Sequence, residues 1–228
     1  RLFEIPPLSD KDYRCIRLGL AERVDHLAAS FVRSGDAIEA IRRATKNRMK
    51  IISKIECAVA LEHLEDIIRK SDMILIDRGD LSKEIPIEKI PLTQKIIIAA
   101  ARRENKEVFV ATNLLESMVD RPRPTRAEVH DIIATVLDGA TGLTLSAETA
   151  IGKYPMECIS MMNRTLHEIR LISSNGHMRE ARKVFARDIE KSGYLQDETH
   201  DTVLPMPHGG NLVNRILMPY LNEAACCV

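Results

Sequence analysis

The sequence lacks a long apolar run, an excess of charge of either sign and a paired-cysteine motif. None of its apolar runs approaches the roughly 20 residues that a membrane-spanning helix needs. Its 33 basic and 33 acidic side chains balance, so no net charge attracts nucleic acid or an anionic membrane surface. These features argue against a membrane protein and against a nucleic-acid-binding protein.

The five cysteines are an odd number and include no C-x-x-C pair. Cys226 and Cys227 are adjacent, a spacing that rarely allows a relaxed disulfide. Thiols in a reducing compartment are therefore the favoured interpretation. Nothing near Arg1 resembles a signal peptide, and the cytoplasm is the expected location. Because the chain does not begin with methionine, we expect a fragment or a processed chain.

Between residues 25 and 171, short β-branched runs alternate with stretches of helical periodicity. The runs predict five strands, at residues 26–32, 50–55, 73–77, 107–112 and 142–146. Each is mostly apolar, as expected for parallel strands that are buried on both faces. Strands that alternate with helices predict an α/β fold with right-handed crossovers. This pattern alone does not distinguish a doubly wound sheet from a barrel.

Several helix boundaries are also predicted. Thr125 and Glu128 have the spacing of a capping box, and Ser9 and Ser34 can each accept from the first turn of a helix. Pro91 and Pro155 are placed where a first helical turn tolerates a missing N–H. After residue 171 the alternation stops; Ser173-Ser-Asn-Gly176 predicts a turn or linker, and residues 178–191 could form one further helix.

Polar residues interrupt the apolar strands at their carboxyl ends, the edge where parallel α/β folds bind ligands. Lys54 and Glu56 are two apart and so share a face of their strand. The following strands end in Asp77-Arg-Gly-Asp80, in Ala111-Thr-Asn113 and in Ser146-Ala-Glu-Thr149. Each motif alone is more often structural, as an ion pair, a turn or a cap. Their coincidence on four consecutive strand ends favours a functional site.

The residue types at this edge are suited to a cation and an anionic substrate. Glu56 and Asp80 offer only oxygen ligands, which fit Mg²⁺ or Mn²⁺ better than Zn²⁺, since no nearby His or Cys set has zinc spacing. Lys54 supplies a point charge for a phosphoryl group or an enolate. Gly79 allows its backbone N–H to approach a carboxylate closely.

Taken together, these segments resemble the signatures of the pyruvate kinase family, in order and at the right spacing, over about residues 5 to 171. The matching segments are Pro7-Leu-Ser-Asp-Lys-Asp12, Ala29-Ser-Phe-Val-Arg33, Lys50-Ile-Ile-Ser-Lys-Ile-Glu56, Arg78-Gly-Asp-Leu81, Glu84-Ile-Pro86, Ala111-Thr112, Leu115-Glu-Ser-Met118, Arg123-Pro-Thr-Arg-Ala-Glu128 and Leu145-Ser-Ala-Glu-Thr149. Thr112 and the Arg123 segment disfavour another phosphoenolpyruvate or pyruvate barrel enzyme.

The resemblance implies a partial (β/α)₈ TIM barrel, residues 1–172, that contains the fourth to eighth strands. It implies phosphoryl transfer from phosphoenolpyruvate to ADP, giving pyruvate and ATP. It is also compatible with a full-length protein that forms a homo-oligomer. Lys54 would stabilise the phosphoryl group and the enolate, and Glu56 and Asp80 would bind Mg²⁺. Gly79 and Asp80 would hold the substrate carboxylate, with Thr112 at the protonation site. Supporting residues would be Arg78, Ser146 and Glu148.

Some expected parts are absent or altered. The family's K⁺ ligands, its substrate arginine, its lid domain and the first three strands have no counterpart here, so the chain alone is expected to be inactive. Asp77 stands where the family usually has alanine; we predict that it faces away from the cation site, toward a basic or amide partner. Other departures are Cys57, Ser82 and Ala147.

The C-terminal stretch carries a second, shorter resemblance. Leu204-Pro-Met-Pro-His-Gly-Gly-Asn-Leu-Val-Asn-Arg215 is similar to the N-terminal segment of ATP sulfurylases. This predicts a linker at residues 173–203 and the start of a sulfurylase-like module at residues 204–228. The alternative to an enzyme fragment is then a degenerate barrel that is retained as a binding or scaffolding module beside a sulfurylase.

Overall fold

The computed structural model describes residues 7–174, and their side chains as far as residue 170. Its centre is a five-stranded parallel sheet in which each strand pairs with the next along the chain. The strands are β1 (His26–Ala29), β2 (Lys50–Ile55), β3 (Met73–Asp77), β4 (Glu107–Ala111) and β5 (Gly142–Thr144). The prediction of five parallel strands is confirmed.

Three strands end earlier than the sequence predicts, and two of them for a clear backbone reason. Phe31 has a φ of 51°, and Thr112 has a φ of 69°. A residue in this left-handed region cannot continue an extended strand. The chain therefore leaves the sheet just before Phe31 and Thr112, which places both residues in the loops at its carboxyl edge.

The strand order distinguishes the two architectures that the sequence left open. A doubly wound sheet reverses its strand order partway through, whereas a barrel adds strands in chain order. The order here is sequential from β1 to β5. Within residues 7–174, β1 bonds only to β2 and β5 only to β4. The fold is therefore α/β, with the arc of a partial TIM barrel whose two edges are β1 and β5.

Helices connect the strands, and the helices that follow β1 and β3 pack against the sheet. The α-helices are α1 (Asp10–Ala21), α2 (Gly35–Ala44), α3 (Val59–Glu62), α4 (Leu64–Lys70), α5 (Arg78–Leu81), α6 (Ile90–Arg103), α7 (Arg126–Leu137), α8 (Ala147–Ala150) and α9 (Pro155–Ser174). Two 3₁₀ turns, Ile87–Lys89 and Glu116–Val119, precede α6 and α7.

The predicted helix starts are confirmed. Ser9 caps α1 in a capping box with Asp12, and Ser34 accepts from the backbone of α2. Thr125 and Glu128 form the predicted capping box of α7. Pro91 lies in the first turn of α6, and α9 begins at Pro155. Each of these satisfies, or removes, an N–H that the helix itself cannot pair.

The core lies between the sheet and the helices. Along β3, Ile74 and Ile76 are fully buried against the helix layer, while Leu75 is only partly buried on the opposite face. The same alternation holds in β2, where Ile51 and Ile55 are buried. This parity decides which residues of each strand end reach the inner face of the arc, where the polar residues gather.

The chain divides into two compact units, with the second beginning at Ile159. In the described range this second unit consists of the remainder of α9, in which the Thr165 hydroxyl donates to the Met161 carbonyl at 3.0 Å. No helix within residues 7–174 is long and apolar enough to cross a membrane. The predicted linker after residue 174 and the sulfurylase-like stretch lie outside the described residues.

Candidate active site

The inner face of the arc brings together the predicted site residues at the carboxyl ends of β2, β3 and β4. The Lys54 ammonium lies 2.6 Å from Oε1 of Glu56. Carboxylate oxygens of Glu56, Asp77 and Asp80 all lie within 4.8 Å of one another. The predicted proximity of the Glu56 and Asp80 carboxylates is therefore confirmed, and their binding of a cation stays a prediction.

Glu56 is buried, with 1% of its surface exposed. Its Oε2 accepts a hydrogen bond of 2.6 Å from the backbone N–H of Phe31, the left-handed residue that follows β1. Its Oε1 faces Lys54. A buried carboxylate needs such partners, because they replace the hydrogen bonds that water would otherwise supply. Glu56 therefore ties the loop after β1 to β2 and holds a carboxylate group in the site.

Lys54 lies among the carboxylates. Burial, which alone would lower the pKa of its ammonium, is outweighed by the hydrogen bond from that ammonium to Glu56 and by the negative charges of Glu56, Asp77 and Asp80, so the pKa lies above its ordinary value. Its Nζ is 3.7 Å from Oδ2 of Asp77 and 3.4 Å from the Ser30 hydroxyl. The site therefore contains a permanent cation at neutral pH.

The prediction for Asp77 is wrong. Its carboxylate faces the site and belongs to the cluster with Glu56 and Asp80. The reason is strand parity: Ile74 and Ile76 face the helices, so Asp77 falls on the other face. The register settles that this is the inner face, because Lys54 is paired with Leu75, two residues before Asp77. The sequence carries no signal of this parity, because residues 73–76 are all apolar.

Asp77 is nevertheless well hydrogen-bonded. Its Oδ1 accepts from the backbone N–H of Asp80 at 3.3 Å and from the Thr112 hydroxyl at 3.2 Å. The Thr112 hydroxyl in turn accepts from the backbone N–H of Gly79 at 2.7 Å and lies 2.6 Å from the Ala111 carbonyl. Both backbone N–H groups that the resemblance associates with a substrate carboxylate thus already have partners within the chain.

Gly79 is needed at its position for space. A Cβ built there would lie 3.3 Å from the Thr112 hydroxyl oxygen, which is tighter than an ordinary contact. The short Gly79–Thr112 hydrogen bond depends on this close approach of the backbone. Thr112 itself is left-handed, with a φ of 69°.

The supporting residues act on the loops behind the cluster. The Arg78 guanidinium is buried and donates to the carbonyls of Thr112 and Asn113 and to Asp131. Glu148, 1% exposed, accepts from the backbone N–H groups of Leu115 and Ser146. Arg78 and Glu148 therefore shape the loop after β4. Sequence reasoning did not identify Asp131, because no local pattern reveals a partner 53 residues away.

Lys83 is a second cation near the cluster that the sequence did not indicate. Its ammonium lies 2.6 Å from Oδ1 of Asp80, and its side chain is 75% exposed. An exposed ion pair of this kind is weak and exchanges readily with water or another cation. Asp80 therefore remains available as a ligand.

The donor set fits a hard divalent cation. Three carboxylates offer oxygen atoms within a small space, and oxygen is the ligand type that Mg²⁺ and Mn²⁺ prefer in proteins. Within residues 7–170 no histidine or cysteine joins this group, so zinc is not favoured. The expected carboxylate site for Mg²⁺ or Mn²⁺ is thus compatible with the side chains present.

Comparison with known proteins identifies relatives of most of the described chain. The family model for the barrel domain of pyruvate kinase matches residues 2–159. The pyruvate kinase of Thermotoga maritima is 46% identical over 168 residues, covering 72% of this chain and 36% of that protein. The pyruvate kinase of Agrobacterium vitis is 47% identical over 168 residues, covering 73% of this chain and 35% of that protein. The chain thus spans about a third of the length of these relatives.

A solved structure agrees with the sequence comparison. The crystal structure of a pyruvate kinase from Cryptosporidium parvum superposes with a TM-score of 0.69 and 37% sequence identity. The match covers 71% of this chain and 35% of the Cryptosporidium parvum chain. The similarity thus extends to the arrangement of strands and helices.

Proposed function

Because this chain belongs to the pyruvate kinase family, we propose that it carries the cation-binding and enolate-stabilising part of a site for phosphoryl transfer from phosphoenolpyruvate to ADP. The observation that carries the proposal is the convergence of Lys54 with the Glu56 and Asp80 carboxylates at the carboxyl edge of the sheet. This is the edge where barrel enzymes perform their chemistry.

Glu56 and Asp80 would hold Mg²⁺ or Mn²⁺. When bound, such a cation neutralises charge on the phosphoryl group and on the enolate oxygen. The support is the donor set itself, which consists of carboxylates within 4.8 Å of one another. Glu56 is buried and anchored by Phe31, so its position requires little reorganisation on binding.

Lys54 would stabilise the negative charge that develops during transfer. Its ammonium remains charged because neighbouring carboxylates raise its pKa. It lies on a strand rather than on a loop, so its position is well defined. A fixed positive charge in a partly buried site stabilises a transition state more than the same charge in water.

Gly79, Asp80 and Thr112 would bind and protonate the three-carbon unit. In this proposal the backbone at Gly79 and Asp80 holds the substrate carboxylate, and the Thr112 hydroxyl lies beside the carbon that takes up a proton, directly or through water. The support is the proximity of these groups; the substrate carboxylate would replace the acceptors that the two N–H groups now have, Thr112 at 2.7 Å from Gly79 and Asp77 at 3.3 Å from Asp80. Proton transfer requires such hydrogen-bonding distances.

The remaining groups of the reaction would come from elsewhere. The family's substrate arginine, its K⁺ ligands and much of its nucleotide site belong to the first three strands, and the matched region covers about a third of each relative. We therefore propose that ADP and ATP bind only where those strands are also present. Homo-oligomerisation and a cytoplasmic location remain proposals for the full-length protein.

A chimeric enzyme tests this function. The matched 168-residue stretch of the Thermotoga maritima pyruvate kinase would be replaced by the corresponding residues of this chain, and pyruvate formation would be followed in a coupled assay. We expect turnover that Lys54→Met lowers by at least about a hundredfold, because a main charge-stabilising group is lost.

Lys50→Met is the matched control for that assay. Lys50 is an exposed lysine at the opposite end of the same strand, about 13 Å from Lys54 along the strand, and its loss should leave turnover unchanged. A chimera that unfolds cooperatively but turns over no faster than its Lys54→Met variant would contradict the proposed function.

A second candidate is a degenerate barrel that binds ligand without catalysis. It is favoured by Asp77, whose carboxylate adds negative charge to the inner face of the site. In this case the chimera would bind a divalent cation but show no turnover. The prediction that such a module is fused to a sulfurylase depends on residues 204–215. These residues lie outside the described range, so it stays a prediction.

A further inference from the structure

Asp77 occupies the surroundings that an incoming carboxylate would need. Its Oδ1 accepts from the backbone N–H of Asp80 at 3.3 Å and from the Thr112 hydroxyl at 3.2 Å, and its Oδ2 lies 3.7 Å from the Lys54 ammonium. A backbone N–H, a hydroxyl and an ammonium are typical partners for a bound carboxylate. Here the Asp77 carboxylate already lies among all three, although the Thr112 hydroxyl is closer to the Ala111 carbonyl, at 2.6 Å, and the Lys54 ammonium is closer to Glu56, at 2.6 Å.

The charge of the cluster changes accordingly. Glu56, Asp77 and Asp80 carry three negative charges, against the two ammonium groups of Lys54 and Lys83. A divalent cation would leave these groups with a single net positive charge, whereas without Asp77 they would have two. Asp77 thus lowers the net formal charge of the loaded site from two to one and weakens its attraction for an anion.

We propose that Asp77 is a specificity-determining residue that acts as a built-in carboxylate, strengthening the binding of a divalent cation while weakening the binding of carboxylate ligands beside it. This inference rests on the proposed function, because it concerns the same site. An incoming carboxylate must displace Asp77 from the Asp80 N–H and the Thr112 hydroxyl, or lie next to its charge. Both cost free energy in a partly buried site.

Removal of Asp77 should change Mn²⁺ affinity and pyruvate affinity in opposite directions, which distinguishes the proposed role from simple damage to the fold. Asp77→Ala removes one oxygen ligand and should weaken Mn²⁺ binding. The same change frees the Asp80 N–H and removes a negative charge beside the Thr112 hydroxyl and the Lys54 ammonium, so it should strengthen pyruvate binding to the Mn²⁺-loaded protein. A variant that is merely destabilised would lose affinity for both.

The test uses the full chain, with Mn²⁺ and pyruvate as probes. Mn²⁺ affinity is measured by electron paramagnetic resonance. Pyruvate binding at saturating Mn²⁺ is measured by the relaxation of the pyruvate methyl protons, which reports only ligand close to the metal. We expect Asp77→Ala to bind pyruvate at least about tenfold more tightly than wild type, given the cost of juxtaposed like charges. Asp77→Asn, which loses the charge but keeps an acceptor, should lie between them.

The control is Asp120→Ala, which removes a surface carboxylate whose side chain is 70% exposed; it should bind pyruvate as wild type does. If Asp77→Ala does not fold, Asp77→Asn must still bind pyruvate more tightly than wild type. Mn²⁺ binding with no gain in pyruvate affinity in the folded variants would overturn the inference and leave the proposed function standing. Absence of Mn²⁺ binding in wild type and both Asp77 variants would contradict the proposed function, and the inference with it.

Discussion

The Arg78 guanidinium donates two hydrogen bonds to the carbonyl oxygen of Thr112, at 3.1 and 2.8 Å, across 34 residues of sequence. It also donates to the Asn113 carbonyl at 2.9 Å and to Asp131 at 2.6 Å. Thr112 and Asn113 are consecutive left-handed residues, with φ values of 69° and 53°. Such a backbone persists only when its surroundings hold it. Arg78 therefore fixes the loop that carries the Thr112 hydroxyl.

Arg78→Ala should lower the free energy of unfolding by about 3 kcal/mol, the low end for breaking a buried charged network. The substitution leaves the Thr112 and Asn113 carbonyls without their donors and Asp131 without its cation. Urea denaturation of the purified chain measures the loss. Arg43→Ala is the control, because its side chain is 73% exposed and its ion pair with Glu39 is long, at 3.8 Å. That control should change stability by less than about 0.5 kcal/mol, and an equal loss in both variants would contradict this role of Arg78.

The Glu128 carboxylate should make the stability of the chain depend on pH. Burial alone would raise the pKa of this carboxyl, but hydrogen bonds from the hydroxyl and backbone N–H groups of Ser117 and Thr125 outweigh it, so the pKa lies below its ordinary value. The stabilisation is complete above the ordinary value of 4.5 and is lost as the pH falls through the lower pKa of the folded state.

Glu128→Gln removes this dependence. The difference in unfolding free energy between wild type and Glu128→Gln should be about 1 kcal/mol at neutral pH, as for a lost capping interaction, and should shrink below pH 4.5. Urea denaturation across this pH range gives the measurement. Glu88→Gln, at an exposed position in the turn before α6, should show no such trend. A wild-type to Glu128→Gln difference that grew on acidification would contradict this sign.

The chain by itself should show no measurable pyruvate kinase activity. In the proposed function, phosphoenolpyruvate, two kinds of cation and the nucleotide must be held together, and we expect this chain to offer only part of that set, since it matches about a third of each relative. Loss of a bidentate arginine contact to phosphate alone costs several kcal/mol where charge develops, and each 1.4 kcal/mol is about a tenfold loss in rate. A coupled assay with saturating substrates, using Lys54→Met as background, makes the comparison. Turnover well above that background would show that the five-stranded arc suffices.

Much of the fold could be predicted from local patterns. The bounds of β2 and β3 and the caps at Ser9, Ser34 and Thr125 follow from apolar runs and from residues that pair with the first turn of a helix. These features depend on neighbours within a few positions, so the sequence displays them directly. The convergence of Lys54 with Glu56 and Asp80 was also predictable, because parallel strands present their carboxyl ends at one edge.

The features that sequence reasoning missed depend on register and on distant partners. The orientation of Asp77 required the pairing of Lys54 with Leu75, which sets the face shared by β2 and β3. Local periodicity did not give the strand order, since it is the same in a doubly wound sheet; the family resemblance predicted the barrel, and the sequential sheet confirms that prediction. The Arg78–Asp131 ion pair joins residues 53 positions apart. Each of these is a property of the packed structure.

The most direct test of the central claim, that these carboxylates form a divalent-cation site, is a titration of the chain with Mn²⁺ followed by electron paramagnetic resonance. We expect one tight Mn²⁺ site per chain in wild type, with at least about tenfold weaker binding in both Glu56→Gln and Asp80→Asn, since each loses one charged oxygen ligand. The control Glu88→Gln should bind as wild type does. Equal Mn²⁺ affinity in wild type and in the folded Glu56→Gln and Asp80→Asn variants would contradict a divalent-cation site formed by these carboxylates.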